Sequence, residues 1–226
     1  MLNPPRRQDF EADNDESRYR HRQLIGYIGL FLPFVLILVV HQRDGAEYSA
    51  RLESISAYYY SGANAAFVGT LISLALLLFT YRGYRNQHQW ADILIACIAG
   101  AAAVVAAAFP TAAPLDSLTP PWWTETTRRV HYGAATGLFS MFAIFSGVMF
   151  CLGTTNWRKW IYRGCAIAIV VFVLWAWVAG RQGEPIFWPE SGAVMAFAIS
   201  WLVKGRAHRS IANSLRSVIP GSHSRD

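Results

Sequence analysis

The chain has 226 residues, of which 54% are hydrophobic and only 15% charged, with a formal net charge of +6. A soluble domain carries about 25% charged residues, so a soluble globular class is disfavoured. The positive balance of so apolar a chain reads as membrane topology and not as nucleic-acid binding.

Residues 1–23 read as a cytoplasmic polar tail, acidic at "DFEADNDE" and basic at "RYRHR" beside the first apolar run. The leader mixes acids with bases and no small-x-small site follows, so it is not read as a cleavable signal. A membrane-crossing helix needs about 20 apolar residues. Six runs approach that length: 24–40, 63–80, 91–109, 131–152, 165–180 and 186–203. Barrel strands alternate apolar and polar residues, so the predicted class is an all-α integral membrane protein, a six-transmembrane-helix bundle over residues 24–205. With the N-terminus inside, only Arg43, Arg51, Arg128, Arg129 and Arg181 of the 20 Lys and Arg fall outside. That bias puts both termini in the cytoplasm of a bacterial inner membrane protein. Trp90, Trp157, Trp160 and Trp201 are predicted at inner helix ends, Trp175, Trp177 and Trp188 near outer ends. Residues 206–226 form a second tail, in which Ile211, Leu215, Val218 and Ile219 make an amphipathic stripe.

Small residues mark expected helix contacts. "AGAAAVVAAA" (Ala99–Ala108) makes the third run a thin rod. Gly133 and Gly137 form a GxxxG in the fourth, read first as packing within the chain and second as a homo-oligomer contact. Cys97, Cys151 and Cys165 lack metal spacing and read as packing residues.

The unusual polar residues share one predicted side, the outer one. His41 ends the first run there, and "ESISAYYYSG" (Glu53–Gly62) precedes the second. If extended, that stretch aligns Ser54, Ser56 and Tyr58; if helical, Glu53, Ser56 and Tyr60. It is predicted to rim or plug an outer pocket, with its tyrosines at headgroup level. His131 opens the fourth run after Arg128 and Arg129, a basic trio that would suit a lipid phosphate. The alternative for the two arginines is pairing with Glu125, Asp116 or Glu184. Glu190 lies one turn into the sixth run, where a carboxylate should face the bundle or a cavity. The predicted ligand or lipid pocket is Glu53, Ser54, Ser56, Tyr58, Arg128, Arg129, His131 and Glu190. No cofactor is expected; if a metal bound, His131, Glu190, His41 and Glu53 would be its ligands, although none are paired at i, i+3 or i, i+4. On the inner side only Asp92 stands out, as an acid near a helix N-terminus.

Four stretches also carry a resemblance: "SISAYYYSGANAAFVGTL", "FPT" at Phe109–Thr111, "YGAATGLF" after His131, and "FWPESGAVMAFAISWLVKG". From Leu24 to Gly205 the chain resembles an uncharacterised bacterial six-helix membrane-protein family (a domain of unknown function). More distantly it is similar to the damage-regulated autophagy modulator (DRAM-type) membrane proteins. The latter resemblance implies six spans, an Ile-Ser loop after the first, a His opening the fourth and a Glu in the sixth. The matching positions are Ile55, Ser56, His131 and Glu190, and the implied role is lipid-related. Those relatives carry an acid after the serine, where this chain has Ala57. A likeness to seven-helix ceramidase-like hydrolases fails on span number and on the missing paired histidines.

The favoured reading is a non-catalytic multi-pass protein whose outer-leaflet pocket engages a lipid headgroup or membrane partner. The rivals are a metal-dependent lipid hydrolase at the outer face and a small-solute transporter.

Overall fold

A computed structural model describes residues 7–45, 47, 52–83, 87–114, 118–154 and 156–206. Among the described residues the fold is built on six α-helices: α1 (Arg7–Arg43), α2 (Asn64–Phe79), α3 (Gln89–Ala108), α4 (Glu125–Gly147), α5 (Asn156–Arg181) and α6 (Phe187–Lys204). Short 3-10 turns occupy Ser56–Tyr60 and Met149–Cys151. Among the described residues there is no strand. The amphipathic stripe at 211–219 lies outside the described residues.

Glu16–Arg43, Gln89–Ala108, Glu125–Cys151 and Trp157–Arg181 are long and apolar enough to cross a membrane. α2 is apolar but has only 16 residues. α6 is less apolar because it is the best-buried helix and carries polar groups inward, at Ser191, Ser200 and Lys204. Large apolar side chains stay exposed around the circumference, including Phe31 and Phe34 on α1, Leu94 and Ile98 on α3, and Val171 and Leu174 on α5. So large an apolar surface marks contact with lipid or protein, not water.

The helices pack in chain order as a ring, α6 closing against α1 and also touching α4. Small residues permit the close approaches. A Cβ on Gly26 of α1 would lie 2.7 Å from Leu202 of α6, and one on Gly100 of α3 would lie 2.9 Å from the Phe79 ring. The alanine rod of α3 is buried at Ala96, Ala99, Ala103, Ala106 and Ala107. The seam between α1 and α2 is looser than its neighbours.

The GxxxG reading needs correction. A Cβ on Gly133 or Gly137 would meet nothing within 4 Å, so neither glycine marks a close helix contact among the described residues. Trp201 is also not an interface residue. It is 0% exposed and sits edge-on to Tyr81, Phe145 and Phe150 in an aromatic core, where such pairs add about 0.5–1.5 kcal/mol each beyond area burial. The polar tail read at 1–23 contains the first turns of α1. In it, the His21 ring lies 2.7 Å from the Leu77 carbonyl and Gln23 Nε2 donates to the Gly205 carbonyl at 2.7 Å.

Candidate functional site

Two helix ends need partners for their orphan backbone groups, and the Glu53–Tyr60 segment serves one of them. At the start of α6, Ile186 N–H donates to the Glu53 carbonyl at 2.6 Å. In return Ile55 N–H donates to Glu190 Oε2 at 2.7 Å. The segment is thus held by α6 at both sides of Ser54. Beyond it the chain turns at Ser56–Tyr60, with Ala57 N–H donating to Ser54 Oγ at 3.0 Å and the two serine hydroxyls 3.1 Å apart. Tyr58 is 1% exposed and packs on Phe187, ring centroids 5.6 Å apart.

The other helix end belongs to α3. His131 Nδ1 lies 3.1 Å from the Ala106 carbonyl and 2.7 Å from that of Phe109. Carbonyl oxygens only accept, so Nδ1 carries the hydrogen and the imidazole closes the C-terminus of α3. In the neutral ring Nε2 is then an unprotonated acceptor. His131 is 3% exposed, and among the described residues its Nε2 has no hydrogen-bond partner.

His131, Ser56, Ile55 and Glu190 all line one cavity. Apart from Thr70 of α2, its remaining walls are apolar, including Ile28 and Leu32 of α1, Phe67, Leu71 and Leu74 of α2, Leu138, Phe139 and Phe142 of α4, and Val194 and Phe197 of α6. Glu190 and Phe197 are seven positions apart on α6, about 10 Å of helix, so the polar groups sit at one end and the aromatics deeper. The cavity has about 70 Å³ of water-accessible room. One water needs roughly 10–15 Å³ in that measure, so the space takes several water-sized groups. The stacked Phe142 and Phe197 rings, centroids 3.5 Å apart, lie at its deep end.

The remaining predicted site residues lie elsewhere. Glu53 and His41 are exposed, and Glu53 contributes its backbone carbonyl, not its carboxylate. Neither lines the cavity, so the four proposed metal ligands are not assembled; among the described residues no group of three His, Cys, Asp or Glu is placed to hold a metal ion. Tyr58 wedges the segment into the core instead of lining the pocket or reaching headgroups. Arg128 donates through Nε to Glu125 Oε1 at 3.0 Å, with a second bond from Nη2, and Arg129 approaches the same oxygen at 3.8 Å. The basic trio is therefore not formed: the two arginines stay at the surface on Glu125 while His131 turns inward. Asp116 lies outside the described residues.

The loop end is tied further through Thr111. Its carbonyl accepts from Tyr60 Oη at 2.7 Å and from Trp123 Nε1 at 3.0 Å. Burial, and secondarily the neighbouring Tyr59, pushes the Tyr60 phenol up to about 12. The proline-stiffened loop thereby folds Trp123 onto the residues that end α3.

The opposite end of the bundle holds buried charges, of which only Asp92 stood out in the sequence. Arg22, Asp92 and Lys204 are all buried, and Arg22, Asp92 and Arg158 lie within electrostatic reach of Lys204. Lys204 Nζ donates to the Phe150 carbonyl at 3.2 Å and to Thr154 Oγ1 at 3.4 Å. Asp92 and Lys204 stand at helix ends and Arg22 lies inside α1, positions that the sequence pattern reads as ordinary interface residues.

No family model, curated protein or solved structure matches the chain.

Proposed function

We propose that the chain crosses a bacterial inner membrane six times with both termini cytoplasmic. Its cavity, on this reading at the outer leaflet, binds the polar head of a membrane amphiphile without transforming it. The observation that carries this reading is the cavity itself: apolar walls closed at one end by Ser56, His131 Nε2 and Glu190. Nε2 accepts hydrogen bonds, and neither it nor the second oxygen of Glu190 has a partner among the described residues. Nε2 therefore favours a head that donates, an amine or a hydroxyl, over a phosphate, which only accepts when fully ionised. The arginine bias between the two ends and the exposed apolar belt support the six-span placement. The lipid-related leaning of the DRAM-type resemblance agrees with it.

The hydrolase alternative lacks an assembled ligand set, because His41 and Glu53 lie apart from His131 and Glu190. The transporter alternative draws support from the buried Arg22, Asp92 and Lys204 at the opposite end. Against it, the Phe142–Phe197 stack and the Trp201 cluster fill the bundle between the two polar ends.

Photolabelling in lipid nanodiscs tests the proposal, using a long-chain alcohol with a diazirine a few carbons from its hydroxyl. Labels are expected on the cavity walls, on peptides containing Leu71, Phe139 or Val194, and are lost in His131→Ala. Labelling spread evenly over exposed positions such as Leu94 and Val171, and unchanged by His131→Ala, would reject the site.

A further inference from the structure

The cavity is too small for a whole amphiphile. Its room of about 70 Å³ accepts a head and the first few carbons, so a long chain must leave it. A second depression lies on the bundle surface along the looser α1–α2 seam, with about 470 Å³ in the same measure. The two share Ile28, Leu32 and Thr70 as lining residues, so the groove runs onto the wall of the cavity. One bank of the groove is α1, with Tyr27, Phe31 and Val35. The α2 bank is low, because Ala65, Ala66, Gly69 and Ser73 have little or no side chain. A Cβ added at Gly69 would meet nothing within 4 Å.

We infer that this α1–α2 groove is the subsite for the hydrocarbon chain of the amphiphile whose head occupies the cavity, and that the ligand enters sideways from the bilayer past Thr70. The inference rests on the cavity reading above and adds the chain's location and the direction of entry. The occupant is an alkyl chain and not a protein helix, because the groove is continuous with a cavity of small-molecule size. A single-chain amphiphile suits it better than a two-chain lipid, since one groove joins the cavity.

The experiment compares two diazirine-bearing alcohols, butan-1-ol and hexadecan-1-ol, on the full chain in nanodiscs, with wild type, Gly69→Phe and Ser73→Phe. The helical glycine has room for a side chain and gains helix propensity on substitution. Ser73→Phe fills the same groove from an exposed position, should the first variant not fold. Wild type is expected to take up both probes in the cavity. Filling the groove should weaken hexadecanol labelling by about tenfold, a steric loss because the chain is displaced into lipid and not into water, and leave butanol within about twofold. Unchanged hexadecanol labelling, or an equal loss for both probes, overturns the groove while the cavity reading survives. Failure of both probes to label the wild-type cavity sinks the cavity reading itself, and the groove with it.

Discussion

Ile55 and Glu190 are 135 positions apart in the chain, and the Ile55 N–H donates to the Glu190 carboxylate at 2.7 Å. With the Ile186 N–H donating to the Glu53 carbonyl at 2.6 Å, this bond fixes the serine turn over the cavity. Glu190 thus has two places at once: one oxygen holds the turn, and the residue lines the cavity.

Glu190→Ala removes the acceptor and leaves the Ile55 amide unpaired. A half-buried donor without a partner costs about 1–3 kcal/mol. The expected outcome is a lower thermal midpoint in detergent, with faster hydrogen exchange at the Ile55 amide. Glu190→Gln keeps a carbonyl acceptor and should retain most of both. Equal behaviour of the two variants would mean that this bond does not hold the turn.

His131 is expected to exist as the Nδ1–H tautomer whenever it is neutral, because both groups facing Nδ1 are carbonyls. Nitrogen-15 NMR of histidine-labelled protein checks this directly: Nδ1 should carry the protonated-type shift and Nε2 the unprotonated one. His131→Ala should also cost roughly 1–2 kcal/mol, since the end of α3 loses its side-chain donor. The reversed tautomer would contradict the assignment of Nε2 as the cavity acceptor.

Arg128→Ala and Arg129→Ala should leave both the thermal midpoint and amphiphile labelling unchanged. Their shared contact with Glu125 is a surface pairing, screened by water and salt. A marked loss of labelling in either variant would restore the arginines to the site.

Tyr60 makes an alkaline prediction. Its phenol is pushed up to about 12, mainly by burial, and donates to the Thr111 carbonyl. The folded form holds this proton more tightly than the unfolded chain, whose tyrosines ionise near 10. The stabilisation is therefore complete below pH 10 and declines as pH rises from about 10 toward 12. Comparing wild type with Tyr60→Phe by tyrosinate absorbance should remove one late-titrating phenol. A difference spectrum that titrates near pH 10 would contradict the buried environment.

Much of the helical pattern was legible because apolar runs of spanning length have few other readings. That His131 and Glu190 turn inward, to line a cavity with Ser56, was legible for a related reason: a polar group inside an apolar helix has to face something. Glu53 and Tyr58 misled, because neighbouring positions on a turn face different ways. The turn puts one carboxylate in solvent and one ring in the core, while the backbone at 53–55 makes the bonds that matter. Backbone hydrogen bonds leave no residue signature. The burial of Trp201, Arg22 and Lys204 was not legible for another reason. Their depth along the bundle could be read from the helix ends, but which way they turn depends on neighbours such as Tyr81, Phe150 and Thr154, which only packing reveals. Gly133 and Gly137 show the converse: residues of close-packing type that mark no close helix contact among the described residues.

The most direct test of the central claim is a head-group competition in nanodiscs. The photoreactive long-chain alcohol is displaced by untagged hexadecan-1-ol, hexadecylamine or hexadecyl phosphate at equal concentration in the bilayer. The alcohol and the amine should compete for the cavity label, the phosphate should not, and all three should behave alike on labels at the exposed belt. If hexadecyl phosphate displaces the cavity label as well as the alcohol does, the His131 Nε2 acceptor does not select the head, and the account fails.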